Sequence, residues 1–167
     1  MPGDPGVWLA VVGAGDADPD LERIAEEVGR EVALAGATLV CGGLRGVMAA
    51  ACRGAWSEGG RTVGLLPGDD RRAANPWVEV ALPTGLGEMR NGLIVRAADA
   101  IVAVGGEFGT LSEIALALKL NIPVVGVGTW ELRRGDGRDA SELLRAADAA
   151  TAVAWAVERV GASSRLG

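Results

Sequence analysis

The chain has no histidine and no tyrosine, and its 167 residues include one lysine, two cysteines and one phenylalanine. Cys41 and Cys52 alone make neither a zinc set nor a disulfide framework, so no resident metal is expected. Basic residues are also scarce: 16 Lys and Arg stand against 22 Asp and Glu, a formal charge of −6. Such a surface repels nucleic-acid phosphates unless its cations cluster. The longest basic groupings, Arg71-Arg72 and Arg133-Arg134, are short and read as solvated loop charges, so nucleic acid is not an expected partner. Long apolar runs are missing too. The stretch from Ile114 to Val127 is broken by Lys119, Asn121 and Pro123, too soon for a membrane span. Met1-Pro2-Gly3-Asp4-Pro5 has neither the basic start nor the apolar stretch of a signal peptide. A cytoplasmic protein is expected.

With five Trp and one Phe as its only aromatics, the interior must be built from Ala, Val, Leu and Ile, with Gly where backbones come close. The 49% apolar content suffices for a core, and the length fits one domain, residues 1–167. No linker, repeat or low-complexity segment divides it. Short β-like runs alternate with amphipathic helices, which predicts a Rossmann-like α/β domain: a doubly wound parallel sheet with helices on both faces.

Val7 to Val12 is nearly all apolar, as a strand buried on both sides should be. A helix follows, with Asp18 as N-cap, Pro19 at its first position, Leu21, Ile24, Ala25, Val28 and Val32 inward, and Gly36 as its stop. Thr38 to Cys41 predicts a strand, Gly46 to Glu58 a helix with a small-residue face, and Arg61 to Leu66 another strand. Trp77 to Leu82 alternates like a short edge strand. Glu88 to Ala98 reads as a helix carrying Leu93, Ile94 and Ala97 inward. Ala100 to Val104 is a central strand, Leu111 to Leu120 a helix and Ile122 to Val127 a buried strand. Residues 131–139 form a polar loop, Leu143 to Ala146 fits either helix or edge strand, and Ala149 to Val160 is a helix.

Three strand ends carry glycines and lead into helices: Gly13-Ala14-Gly15, Gly42-Gly43-Leu44-Arg45-Gly46, and Gly105-Gly106-Glu107-Phe108-Gly109. Ligands of open parallel sheets bind beyond the carboxyl ends of the strands. There the free amides and positive dipole end of a helix attract phosphate, and glycine lets the backbone approach it. Glycines also serve simple tight turns, but three such turns on one sheet edge favour a site. Two common nucleotide patterns are excluded. Asp18 stands where a dinucleotide fingerprint needs its third Gly, and no Gly-Lys-Ser/Thr triplet forms a P-loop.

Cys41-Gly42-Gly43-Leu44-Arg45-Gly46-Val47-Met48 resembles the GGGxxGLM segment of the LOG-like superfamily. Gly105-Gly106-Glu107-Phe108-Gly109-Thr110-Leu111-Ser112-Glu113 resembles its PGGxGTxxE segment, and Arg90 falls at the Arg of its MHxRK segment. The likeness spans about Val7 to Val127. The superfamily includes cytokinin-activating phosphoribohydrolases, often mislabelled lysine decarboxylases, and molybdenum-cofactor carrier proteins. The only lysine, Lys119, lies between Leu118 and Leu120 near a helix end and gives a pyridoxal-dependent decarboxylase no support.

For a hydrolase the resemblance implies Arg90 and Glu113 as the catalytic pair. A carboxylate there would stabilise oxocarbenium charge or activate water, while the Arg holds phosphate or ribose oxygens. Gly13, Gly15, Gly42, Gly43, Gly46, Met48, Arg90, Asn91, Gly105, Gly106, Glu107, Gly109 and Thr110 are the expected ligand- and phosphate-binding residues. Thr110-Leu111-Ser112-Glu113 also reads as a capping box, with Glu113 reaching back to the Thr110 N–H, and Arg90 also reads as a surface charge. The departures point elsewhere in the superfamily. Gly105 stands for the hydrolase Pro, Glu107 for a Gly, and Asn91 for the Lys after the Arg. These variants resemble the branch that contains molybdenum-cofactor carriers. The implied function is a binding or carrier protein for a phosphate-bearing nucleotide-like or pterin ligand; the alternative is a phosphoribohydrolase of nucleoside 5′-monophosphates. No cofactor is required, a bound nucleotide or molybdenum cofactor being the ligand itself. The resemblance further implies a homo-oligomer, dimer or tetramer.

Overall fold

The computed structural model describes residues 6–163 of the chain, and the reading of Met1 to Pro5 as no signal peptide lies outside them. Strands β1 (Trp8–Gly13), β2 (Thr38–Cys41), β3 (Thr62–Leu66), β4 (Val80–Pro83), β5 (Ala100–Val104), β6 (Val124–Val127) and β7 (Leu143–Arg145) make one sheet. Its order is β4-β3-β2-β1-β5-β6-β7, and every neighbouring pair is parallel. The chain builds outward from β1 to β4 on one side, then returns to β1 and builds through β5 to β7 on the other. The order therefore reverses between β1 and β5, which in open α/β sheets is where the crevice lies.

Helices α1 (Pro19–Leu34), α2 (Val47–Ser57) and α5 (Ala149–Ser163) cover one face, burying Val28, Val32, Ala51, Ala55 and Ala152. Helices α3 (Asn91–Ala97) and α4 (Phe108–Lys119) cover the other with Ile94, Val95, Ile114 and Ala117. The Rossmann-like α/β architecture is thus the observed one. Strands β2, β3, β5 and β6 are buried along their whole length, which is why, past the leading Thr38 and Thr62, their sequences run without alternating polar residues.

Local readings are corrected in three places, and a fourth, left open between helix and edge strand, is decided. The helix expected from Glu88 splits into a 3-10 turn, Gly87–Arg90, and α3. The tighter winding of that turn shifts the helical phase, so Ile94, Val95 and Ala98 face the core while Leu93 and Ala97 are exposed. Helix α4 begins at Phe108 rather than Leu111, because extended Glu107 serves as its N-cap. The edge strand near Trp77 is confined to Val80–Pro83, and its terminal proline is tolerated because no further strand lies beyond it. Leu143–Arg145 is a strand, on the opposite edge.

Candidate functional site

The turns after β1, β2 and β5 converge on one pocket of about 130 Å³. Its wall on the β1 side is Val11, Val12, Gly13, Ala14 and Gly15; Gly42 and Met48 supply the β2–α2 side. Arg90 and Asn91 enter from the start of α3, and Glu107, Gly109, Thr110 and Glu113 from the β5–α4 junction. Of the residues expected from sequence, Gly43, Gly46, Gly105 and Gly106 do not line the pocket. They shape the turns behind it, with positive φ angles of 72°, 63°, 55° and 128°. Val11, Val12 and Ala14 were not expected. The signal that could have found them was the rule that a β1 strand end at the reversal point faces the crevice.

The three helix starts on this edge are not alike. At α1, Asp18 accepts the Leu21 N–H at 2.8 Å, and Pro19 has no N–H to offer, so that start is already satisfied. Gly46 precedes α2 without any side-chain cap. Glu107 precedes α4 and likewise gives no side-chain cap. The first helical bond of α4 runs from the Leu111 N–H to the Glu107 carbonyl at 3.0 Å, so the amides of its first turn have no helical acceptor. At α2 the first amide is already met, Val47 N–H donating to the Ala14 carbonyl at 3.0 Å. Helix α4 therefore supplies the first-turn amides, while the positive dipole ends of both helices lie beside one small space. A β-carbon at Gly46 would stand 2.4 Å from the Ala14 carbonyl, so only glycine allows the first two turns to lie this close together.

Arg90 is no surface charge: it is 8% exposed, and no protein acceptor meets its Nε. Burial lowers its pKa, against the opposing pull of the Glu113 and Cys41 charges. A β-carbon at Gly42 would lie 2.0 Å from Arg90 Nη1 and 2.7 Å from Met48 Sδ, so the guanidinium occupies space that Gly42 leaves open. Glu113 is 7% exposed, and burial pushes its carboxyl up to about 7 despite the lowering influence of Arg90. Among the described residues no nitrogen–oxygen approach within 4.0 Å joins the two. The expected capping box does not form. With α4 starting at Phe108, Thr110 lies inside the first turn and Glu113 a full turn into the helix, where it faces the pocket instead of the Thr110 amide. Glu107 is exposed at the pocket's edge, and Thr110 is buried in its wall.

The site can hold an anion on amides and one buried guanidinium, with a carboxyl that changes charge near neutrality beside it. Among the described residues no group of three or more Cys, Asp or Glu side chains is arranged to hold a metal ion. No described helix is long and apolar enough to cross a membrane. The Arg pairs that could have attracted nucleic acid are exposed, and three of their four residues are matched with carboxylates: Arg72 with Asp70, Arg133 with Asp139 and Arg134 with Glu142.

Residues 7–157 match the model of the SLOG cluster4 family. The chain belongs to this family. An uncharacterized protein of Archaeoglobus fulgidus is 44% identical over 111 residues, which cover 66% of this chain and 73% of that protein. The structure of the molybdenum cofactor binding protein from the phototrophic bacterium Rippkaea orientalis is similar with a TM-score of 0.82 at 30% identity, over 93% of this chain and 98% of that one. The molybdenum cofactor carrier protein from Chlamydomonas reinhardtii gives a TM-score of 0.81 at 35% identity, over 94% of this chain and 99% of that one.

Proposed function

We propose that this protein binds or carries a phosphate-bearing nucleotide-like or pterin ligand, a molybdenum-cofactor-like molecule being the leading candidate. One observation carries the reading: two uncapped helix starts and a buried guanidinium with an unmet N–H meet at a single pocket. The first-turn amides of α4 and the Arg90 Nε–H need acceptors, and a phosphate supplies several at once. The likeness to cofactor-binding and carrier proteins supports the pterin class. Exposed Leu86, Met89 and Leu93 beside Arg90 support self-association as a dimer or tetramer, and the acidic composition, with no membrane-crossing helix among the described residues, supports a cytoplasmic setting.

Differential scanning fluorimetry with AMP and with molybdopterin tests the reading, together with mass spectrometry of small molecules that co-purify with the native protein. Stabilisation by a phosphorylated heterocycle is expected. Folded protein that none of them stabilises, and that carries none when isolated, would sink it.

Glu113 favours a second reading. A buried carboxyl with a pKa of about 7, set across from an arginine, is poised as a general acid or base. A phosphoribohydrolase using Arg90 and Glu113 would release ribose 5-phosphate from AMP, and Glu113→Gln would abolish that release. An unchanged rate in the variant would remove Glu113 from the mechanism.

A further inference from the structure

Phe108 is the chain's only phenylalanine, and it is 79% exposed. It opens α4, and its neighbours in the chain, Glu107 and Gly109, both line the pocket. Its ring lies 5.7 Å from that of Trp130, tilted by 36°. The Trp130 indole N–H donates to the Glu107 carbonyl at 3.3 Å. The loop after β6 thus pins an aromatic pair to the same turn whose amides face the pocket. In a chain with so few aromatics, a phenylalanine this exposed adds little to the core.

The pocket, about 130 Å³, holds a phosphate and little more. Sites for whole small molecules usually measure about 300–1,000 Å³. A ring attached to the bound phosphate must therefore lie outside the pocket, against whatever surface borders the anion site. Neither ring lines the pocket itself, but Phe108 stands between its lining residues Glu107 and Gly109, and the indole hydrogen bond holds Trp130 to Glu107. The exposed π-face nearest in the chain to the anion site is therefore theirs, and stacking on such a face suits any planar heterocycle.

We propose that Phe108 and Trp130 form a shelf on which the planar ring of the ligand stacks while its phosphate sits on the starts of α2 and α4. This inference rests on the ligand class proposed above and adds the residues that read its ring. The competing occupant is a second copy of the chain, since Leu86, Met89 and Leu93 are also exposed.

Calorimetry with ribose 5-phosphate, AMP and neopterin monophosphate tests the shelf, on wild type, Phe108→Ala and Phe108→Trp, with light scattering on each. At least one ring-bearing probe should bind wild type more tightly than ribose 5-phosphate. Phe108→Ala should reduce that advantage about tenfold and leave ribose 5-phosphate within about twofold, as expected for losing one stacking face. Phe108→Trp should restore it. The shelf is refuted if ring-bearing probes bind no better than ribose 5-phosphate, or if Phe108→Ala weakens all three probes alike. It is equally refuted if that variant only breaks an oligomer while the ring preference persists. If ribose 5-phosphate binds and the rings add nothing, the shelf alone fails; if none of the three binds, the ligand class fails with it.

Discussion

The guanidinium of Arg90 lies against Gly42, its Nη1 only 2.0 Å from where a β-carbon on that glycine would stand. The glycine at the end of β2 is thus a receptacle for the arginine as well as a turn residue. Because the clashing atoms are the ends of the flexible Arg90 and Met48 side chains, Gly42→Ala should displace those groups rather than the backbone. Affinity for AMP or ribose 5-phosphate should fall about tenfold or more, while stability drops by no more than the about 1–3 kcal/mol of an overpacked site. Titration calorimetry and urea unfolding would check both. A variant with native affinity would show that the seat of the guanidinium does not matter.

Arg90 itself offers a sharper separation of binding from stability. Its Nε is buried without an acceptor, and burial lowers its pKa, so in the free protein the charge is a cost. Arg90→Met should leave the unfolding free energy unchanged or higher, as when a poorly paired buried charge is replaced by an apolar side chain. Phosphate-ligand affinity should fall by about 10- to 100-fold, the scale of charge-assisted hydrogen bonds. A large loss of stability, with affinity retained, would make Arg90 a structural residue.

Glu113 should make stability depend on pH. Its carboxyl is pushed up to about 7 in the native state by burial, against the lowering effect of Arg90, from an ordinary value of 4.5. The native state therefore holds a proton that the unfolded chain has lost between those two values. Its contribution is complete below pH about 4.5, shrinks as pH rises, and is gone above about 7. The shift corresponds to about 3 kcal/mol. Glu113→Gln lacks this dependence, so the variant should gain on wild type by roughly that amount between pH 5 and pH 8, read from urea midpoints. Parallel curves across that range would contradict the assignment. Exposed Glu107 and the Cys41 thiol also face this region, but Arg90 is the neighbour that acts on the Glu113 charge.

Cys41 and Cys52 are free thiols whose sulfurs share a hydrogen bond at 3.5 Å, fully buried at the β2–α2 interface. Cys41 Sγ also accepts the Gly43 N–H at 3.3 Å, which ties the thiol to the glycine turn behind the pocket. Neither thiol should react with Ellman's reagent in the native protein, and two should react in guanidinium. Rapid labelling of the native protein would mean that the β2–α2 turn opens readily.

Much of this was legible because the sheet is parallel and buried. Val7–Val12 and Ala100–Val104 are apolar throughout, Thr38–Cys41 is apolar after its threonine, and Asp18-Pro19 marks a helix start that the structure keeps. The glycine turns and Arg90 could be grouped because strand ends of one sheet share an edge. What escaped was set by tertiary packing. Leu93 looks inward by helical spacing, but a preceding 3-10 turn rotates the helix, and Arg90 reads as solvated until Gly42 is seen to receive it. Thr110 to Glu113 has the letters of a capping box, yet the helix starts at Phe108 because Glu107 is extended, a backbone choice its side chain does not announce.

The contrast between helix starts yields a last expectation. Asp18 fills the start of α1 with its own carboxylate, whereas α2 and α4 begin without a side-chain partner. If uncapped starts hold the ligand, α1 is a scaffold helix, and damage to its cap should be felt only in folding. Asp18→Ala removes the acceptor of the Leu21 N–H and should cost about 1 kcal/mol of stability. The Pro19 ring still fixes the first turn, so the β1 wall of the pocket should hold its shape, and affinity for AMP should stay within about twofold. The same variant also frees an amide and removes a negative charge on the pocket's edge of the sheet. Were α1 part of the anion site, phosphate affinity would therefore rise while stability fell, and that opposite response would assign the ligand to three helix starts instead of two.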